Sequence, residues 1–157
     1  MLRLIHEYAK LAEERSVCED KLNITGFDFH KYNRTTKALS VNFTVLEDVT
    51  IDNDLEIKTT LYLWKNNDYK KTPFMWSMQT CKVLDNNNFG IQLLMKDSTT
   101  QKCPLLKGKH YIRNVSPPDL QGWPSVIPEG KWKLNIEYYK QKQYCFTVEW
   151  FAIISKN

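Results

Sequence analysis

Residues 131–139, KWKLNIEYY, alternate without interruption: Trp132, Leu134, Ile136 and Tyr138 are apolar, and Lys131, Lys133, Asn135 and Glu137 fall between them. A period of two puts one set on each side of a pleated chain, which predicts a half-buried antiparallel strand. Pro128-Glu129-Gly130 precedes it, with proline in the pre-set position of a tight turn and glycine two places later, a composition that suits a type I turn feeding the strand.

Several other segments carry the same signature. Tyr144, Phe146, Val148, Trp150, Ala152 and Ile154 share one face of a final strand, whose far end is also apolar on the opposite face through Phe151 and Ile153. Leu39, Val41, Phe43 and Val45 alternate with Ser40, Asn42 and Thr44. Leu55, Ile57, Leu61 and Leu63 oppose Glu56, Lys58 and Thr60, while Tyr62 and Trp64 break that polar face. The turn composition of Lys65-Asn66-Asn67-Asp68 joins this strand as a hairpin to 69–78, where Tyr69, Phe74, Met75, Trp76 and Met78 cluster around Pro73. Lys21 to Phe29 alternates loosely, and a short strand around His110 to Asn114 leads into a Pro117-Pro118 crossing.

Two segments depart from the period of two. In Lys82 to Asp97 the apolar residues Phe89, Ile91, Leu93, Leu94 and Met95 do not alternate, and Asn86-Asn87-Asn88 offers capping side chains, which predicts one short internal helix. Leu2, Leu4, Ile5, Tyr8, Ala9 and Leu11 recur at helical spacing, which predicts an amphipathic helical extension over 1–16 ahead of a single domain over 17–157. Strands at short spacing, with no βαβ alternation, make the chain all-β: an antiparallel β-sandwich.

Composition narrows the function. The chain has 157 residues, 42% of them hydrophobic and 13% aromatic, enough for a real core. A formal charge of +4 from 22 basic and 18 acidic residues is too mild and too evenly spread for a nucleic-acid partner. His6, His30 and His110 are far apart and none has a metal-ligand spacing. No GxSxG, HExxH, P-loop or GxGxxG occurs, so the reading is non-enzymatic, with no metal and no cofactor.

Cys18, Cys81, Cys103 and Cys145 show no CxxC spacing, which favours disulfides over zinc. Of the three connectivities, Cys18 with Cys145 and Cys81 with Cys103 is expected; the first ties the opening segment to the last strand, and the second pins the short helix between its ends. Asn23, Asn33 and Asn42 head glycosylation sequons, and a fourth at Asn114 is the weakest because Pro117 follows its serine. Asn42 falls on the wet face of its strand. Even cysteines and several sequons together favour an extracellular, secreted glycoprotein, although the charged N-terminus lacks the apolar region of a signal peptide.

Cys103-Pro104, Gly108, Tyr111 and Asn114, followed by Pro128-Glu129-Gly130-Lys131-Trp132, resemble the signature of a family of insect secreted proteins. That family includes the CheA and CheB chemosensory proteins and is similar in turn to the ganglioside-activator and ML-domain lipid-recognition proteins. The resemblance covers about Cys18 to Tyr139, with the family cysteines at Cys18 and Cys103, and it is specific over Cys103 to Trp132. It implies an immunoglobulin-like sandwich whose sheets part around a hydrophobic cavity, secretion, and no catalysis.

The joint expectation is a carrier or presenter of a lipid or other hydrophobic small molecule, in chemosensory (pheromone or taste) signalling, with a membrane receptor as a further partner. The ligand would be held by Leu61, Leu63, Phe74, Trp76, Trp132, Leu134, Phe146 and Val148, which fall on inward strand faces. Lys107, Lys109 and Arg113, with His110, would stand at the rim and meet an anionic headgroup. The alternative is an interaction module with a packed core that binds a receptor through loops or an exposed apolar patch.

Overall fold

The computed structural model describes residues 2–12, 17–34, 37–87, 91–115 and 128–156. Among the described residues, eight strands run in chain order: β1 Leu2–Leu11, β2 Leu22–Lys31, β3 Lys37–Val45, β4 Leu55–Lys65, β5 Asp68–Gln79, β6 Gly108–Val115, β7 Gly130–Lys140 and β8 Gln143–Lys156. Every pairing is antiparallel. They form a five-stranded sheet in the order β1-β8-β7-β4-β5 and a three-stranded sheet in the order β2-β3-β6. The Pro117-Pro118 crossing and Asn88 lie outside the described residues.

β7 is where the alternation of KWKLNIEYY is realised. Trp132 is fully buried and Leu134 nearly so, while Lys131 is exposed. It sits between β8 and β4, so the register aligns Leu134 with both Trp150 and Leu61 and builds the centre of the core. At its start, Gly130 takes φ of +137°, a conformation that side chains disfavour, and a Cβ there would meet Leu63 at 3.4 Å.

Two hairpins use two-residue turns with both central residues at positive φ, the twist that matches paired strands. Asn66 and Asn67, at 53° and 64°, join β4 to β5 as their composition suggests. Gln141 and Lys142, at 50° and 65°, join β7 to β8 with residues that carry no such signal, so strand register and packing impose this turn.

Two expectations are corrected. The N-terminal segment is a strand, not a helix: β1 pairs with β8 from Leu2↔Lys156 to Leu11↔Val148 and is an edge of the larger sheet. A bulge between His6 and Tyr8 shifts the phase by one residue, so the alternation passes from even to odd positions. Leu4 is registered with Ile154 and Ala9 with Trp150 across the change of parity, and the sequence on its own shows only the resulting spacings of three and four, as in Leu4–Tyr8, Ile5–Ala9 and Tyr8–Leu11, which read as helical. The internal helical region is two short pieces, α1 Thr80–Asp85 and α2 Ile91–Leu94. Asn86 ends α1, where φ of −88° and ψ of 0° let its amide donate back to Lys82, and the asparagines therefore close one helix before the other starts.

Asp54 caps α1 from outside the helix. Its carboxylate accepts the Cys81 amide at 3.0 Å on both oxygens and the Leu55 amide at 2.7 Å, satisfying donors that the helix leaves orphaned. Two disulfides complete the frame, Cys18–Cys145 and Cys81–Cys103, in the expected connectivity. The first joins the approach to β2 in one sheet to β8 in the other. By loop-closure entropy each stabilises the fold by about 3 to 5 kcal/mol.

Candidate functional site

The eight residues expected to hold a ligand lie on one continuous inner surface. Leu61 and Trp132 are fully buried, Leu134, Phe146 and Val148 are buried, and Leu63, Phe74 and Trp76 pack half-buried against them. Phe74 meets Trp132 edge-on at 6.4 Å, and the Trp132 indole donates to the Pro128 carbonyl at 2.9 Å. Tyr138 stacks on Phe146 at 4.3 Å, and desolvation pushes its phenol up to about 12.

A groove runs along one side of the sandwich. β1 is an edge of the five-stranded sheet and β2 an edge of the three-stranded one, and the groove, of about 510 Å³, lies between them. Leu11, Ile24, Phe27 and Phe29 contribute apolar surface to a mixed lining that also holds Lys10, Thr25 and Asp28. Ala9 and Ile24 belong to the buried core, so the floor of the groove is the core itself. Phe29 bridges the two sheets, edge-on to Tyr8 at 6.2 Å and to Trp150 at 5.7 Å. The Lys37 ammonium donates to the Glu7 carbonyl at 3.0 Å and pins the β1 bulge to the start of β3.

None of the eight expected residues lines this groove; it is walled by residues the sequence does not single out. Leu11 stands at the end of a segment whose bulge disguises its phase, and Phe27 and Phe29 lie in the loosely alternating 21–29. A single sequence carries no signal that β1 and β2 edge the two sheets on the same side.

The basic set stands elsewhere. Lys107 and Lys109 are exposed, and Arg113 is half-buried, with its guanidinium 4.6 Å from the Tyr111 ring and donating to the Ile112 carbonyl at 3.1 Å. Lys109 and Arg113 lie on β6, across the three-stranded sheet from the groove. The outer edge of β6 is occupied by Ser98 and Thr99: the Tyr111 amide donates to the Thr99 hydroxyl at 2.9 Å and the Arg113 amide to the Ser98 hydroxyl at 2.9 Å. Asn42 and Asn33 are exposed and Asn23 is half-buried.

The histidines serve packing. The Trp150 indole donates to His6 Nδ1 at 3.0 Å, His30 Nε2 is 3.3 Å from the Asn114 amide oxygen, and His110 stacks on Phe43 at 5.5 Å. Among the described residues no three His, Cys, Asp or Glu side chains come close enough to hold a metal ion.

The fold and site therefore define a disulfide-stapled antiparallel sandwich with a lateral groove between two edge strands. Residues 57–134 match a family described as a protein of unknown function, DUF1091. The similarity spans just under half of the chain, from β4 through the first half of β7, and leaves β1, β2, β3 and β8 outside it. No curated protein matches the chain.

Proposed function

We propose that the protein is a secreted, non-enzymatic carrier of a lipid or other apolar small molecule that enters between the sheets along the β1–β2 groove. The groove carries this reading: Leu11, Ile24, Phe27 and Phe29 line it beside polar groups, and core residues Ala9 and Ile24 make its floor, so an acyl chain laid in it would abut the interior. Each methylene moved from water into that interior gains about 0.8 kcal/mol, enough for a short chain to part side chains that are packed but not covalently fixed. The resemblance of 103–132 to CheA and CheB chemosensory proteins and to ML-domain lipid-recognition proteins supports the same reading, as does their immunoglobulin-like type of sandwich. Two disulfides accord with an oxidising, extracellular setting.

In this reading Phe27 and Phe29 form the entrance, and Leu61, Leu63, Phe74, Trp76, Trp132, Leu134, Phe146 and Val148 form the wall that the bound ligand touches. The test is displacement of an environment-sensitive fluorescent fatty acid from protein made in secretory cells, compared with Phe27→Asp and Leu134→Trp. Binding by wild type, and its loss in Phe27→Asp with the melting temperature held, is expected. Leu134→Trp discriminates core from cavity: in a packed core it costs about 1 to 3 kcal/mol, whereas in a parting core the ring occupies ligand space, so folding survives and binding fails. Absence of probe binding, together with absence of lipid in an organic extract, overturns the proposal in favour of a receptor-binding module.

A further inference from the structure

The outer face of the five-stranded sheet is polar along most of its length. Successive rows across it read Lys58, Glu137 and Thr147, then Thr60, Asn135 and Glu149. At one end that pattern gives way to rings. Tyr62 and Trp64 on β4, Tyr69 on β5, Phe151 on β8 and Tyr8 on β1 come together there, although they lie up to 143 positions apart, from Tyr8 to Phe151. Trp64 meets Tyr69 edge-on at 4.9 Å, Tyr69 meets Phe151 edge-on at 5.6 Å, and Tyr8 tilts over Phe151 at 6.4 Å. Edge-on contacts of this kind favour one arrangement of the rings.

The lattice is not buried by the fold. Tyr8 is 52% and Trp64 41% exposed, and with Tyr69 and Phe151 they line a groove of about 380 Å³, within the roughly 300–1,000 Å³ of small-molecule sites. Three polar side chains complete the lining: Glu7, Lys10 and Lys131. Lys133, beside them, is already engaged, over Tyr62 at 4.6 Å, over Tyr69 at 5.6 Å and 3.7 Å from Glu149. Lys10 and Lys131 form no ion pair among the described residues; Lys10 lies only at 6.0 Å from the Phe151 ring centre.

These features constrain the occupant. Ring faces want a flat, weakly polar surface; the ammonium groups of Lys10 and Lys131 want negative charge; the Glu7 carboxylate wants a hydroxyl or amine donor. Protein interfaces are depleted in lysine at their centres, which counts against a protein partner. A hydrocarbon surface gives Glu7 nothing to bond and leaves its charge desolvated. A sugar ring that carries a carboxylate or sulfate meets all three demands. We propose that this groove binds an anionic saccharide, with the C–H face of a ring on Trp64 and Tyr8, its acidic group between Lys10 and Lys131, and a hydroxyl donating to Glu7. The site shares Tyr8 and Lys10 with the β1–β2 groove, whereas Trp64, Tyr69, Lys131 and Phe151 line this one alone, so the Trp64 and Lys131 variants separate it from the lipid reading.

The experiment titrates isotope-labelled protein with a sulfated tetrasaccharide, a neutral tetrasaccharide and vesicles of anionic phospholipid, following backbone amide shifts. Sulfated sugar is expected to shift amides of β1, β4, β7 and β8 around the groove, and to bind more tightly than the neutral one. Trp64→Ala and Tyr8→Ala each weaken it roughly tenfold, the scale of one lost ring contact. Lys131→Ala weakens it severalfold, and Lys58→Ala, on the same face beside Tyr139, leaves it unchanged. Trp64 and Tyr8 are exposed, so the fold survives their loss, which the unshifted remainder of each spectrum checks. No binding of the sulfated sugar, equal binding of the neutral one, binding that depends on Lys131 but not on Trp64, or Trp64-dependent binding of vesicles alone would each overturn the proposal.

Discussion

The ammonium of Lys140, at the end of β7, donates to the backbone carbonyl of Asn53 at 2.7 Å although the residue is only 1% exposed. The same nitrogen reaches the Asp48 carbonyl at 3.2 Å and stands 3.7 Å from the Glu47 carboxylate. One buried lysine thus holds the connection between β3 and β4 against the sheet. Desolvation lowers its pKa below 10.5, with Glu47 acting in opposition.

Lys140→Met should destabilise the fold by about 2 kcal/mol, because two carbonyls lose a charged donor while a buried charge is relieved. Chemical denaturation measures the change, and amide exchange should show the loss concentrated in 46–54. The unfolded lysine binds its proton more tightly than the folded one, so wild-type stability rises with pH in the window below 10.5. That part of the slope should be missing in the Met variant.

Tyr138 sets an alkaline limit. Its phenol ionises near 10 in the unfolded chain and at about 12 in the fold, so the stability it contributes is complete below pH 10 and lost as pH rises through 12. An ultraviolet titration should find a late-ionising tyrosine that is absent from Tyr138→Phe.

Asp54→Ala should cost about 1 to 2 kcal/mol, the value of a helix cap, and lower the melting temperature by about 2 to 4 °C per kcal/mol. Burial raises the Asp54 pKa above 3.8, against the bonds from Cys81 and Leu55. The folded state therefore holds this proton more tightly, and the corresponding stability is full below pH 3.8 and declines as pH rises through the folded pKa. The difference between wild-type and Asp54→Ala melts across acidic pH should follow that sign.

Asn42 projects from β3 into solvent opposite Gly26, where an added Cβ would come within 3.1 Å of the asparagine amide. Expressed behind a working signal peptide, the chain should carry a glycan at Asn42, read by mass spectrometry after deglycosylation. Asn42→Gln should change stability by no more than about 0.5 kcal/mol, as expected of a surface site.

The alternating strands were legible because burial acts on every second residue. Phe43 and Val45, or Trp132 and Leu134, are buried while Asn42 and Lys131 face water. β1 was not, because one bulged residue at Glu7 moves the apolar positions from one parity to the other. Tyr62, Trp64 and Phe151 already break the polar pattern in the sequence, but only the pairing of β4, β7, β8 and β1 makes them neighbours. The lateral groove was least legible, since facing edges are a property of two sheets and not of either strand.

The Cys18–Cys145 bond spans 127 positions and encloses the whole of the Cys81–Cys103 bond, which spans 22. Toward a protease the chain is thus a circle with two tails. A single cut at the Asn66-Asn67 turn opens the circle without releasing a fragment, and a cut between Cys81 and Cys103 is bridged twice over. Nicked protein would migrate near full length on a non-reducing gel and come apart only when reduced, so a hidden cleavage would leave the molecule covalently whole.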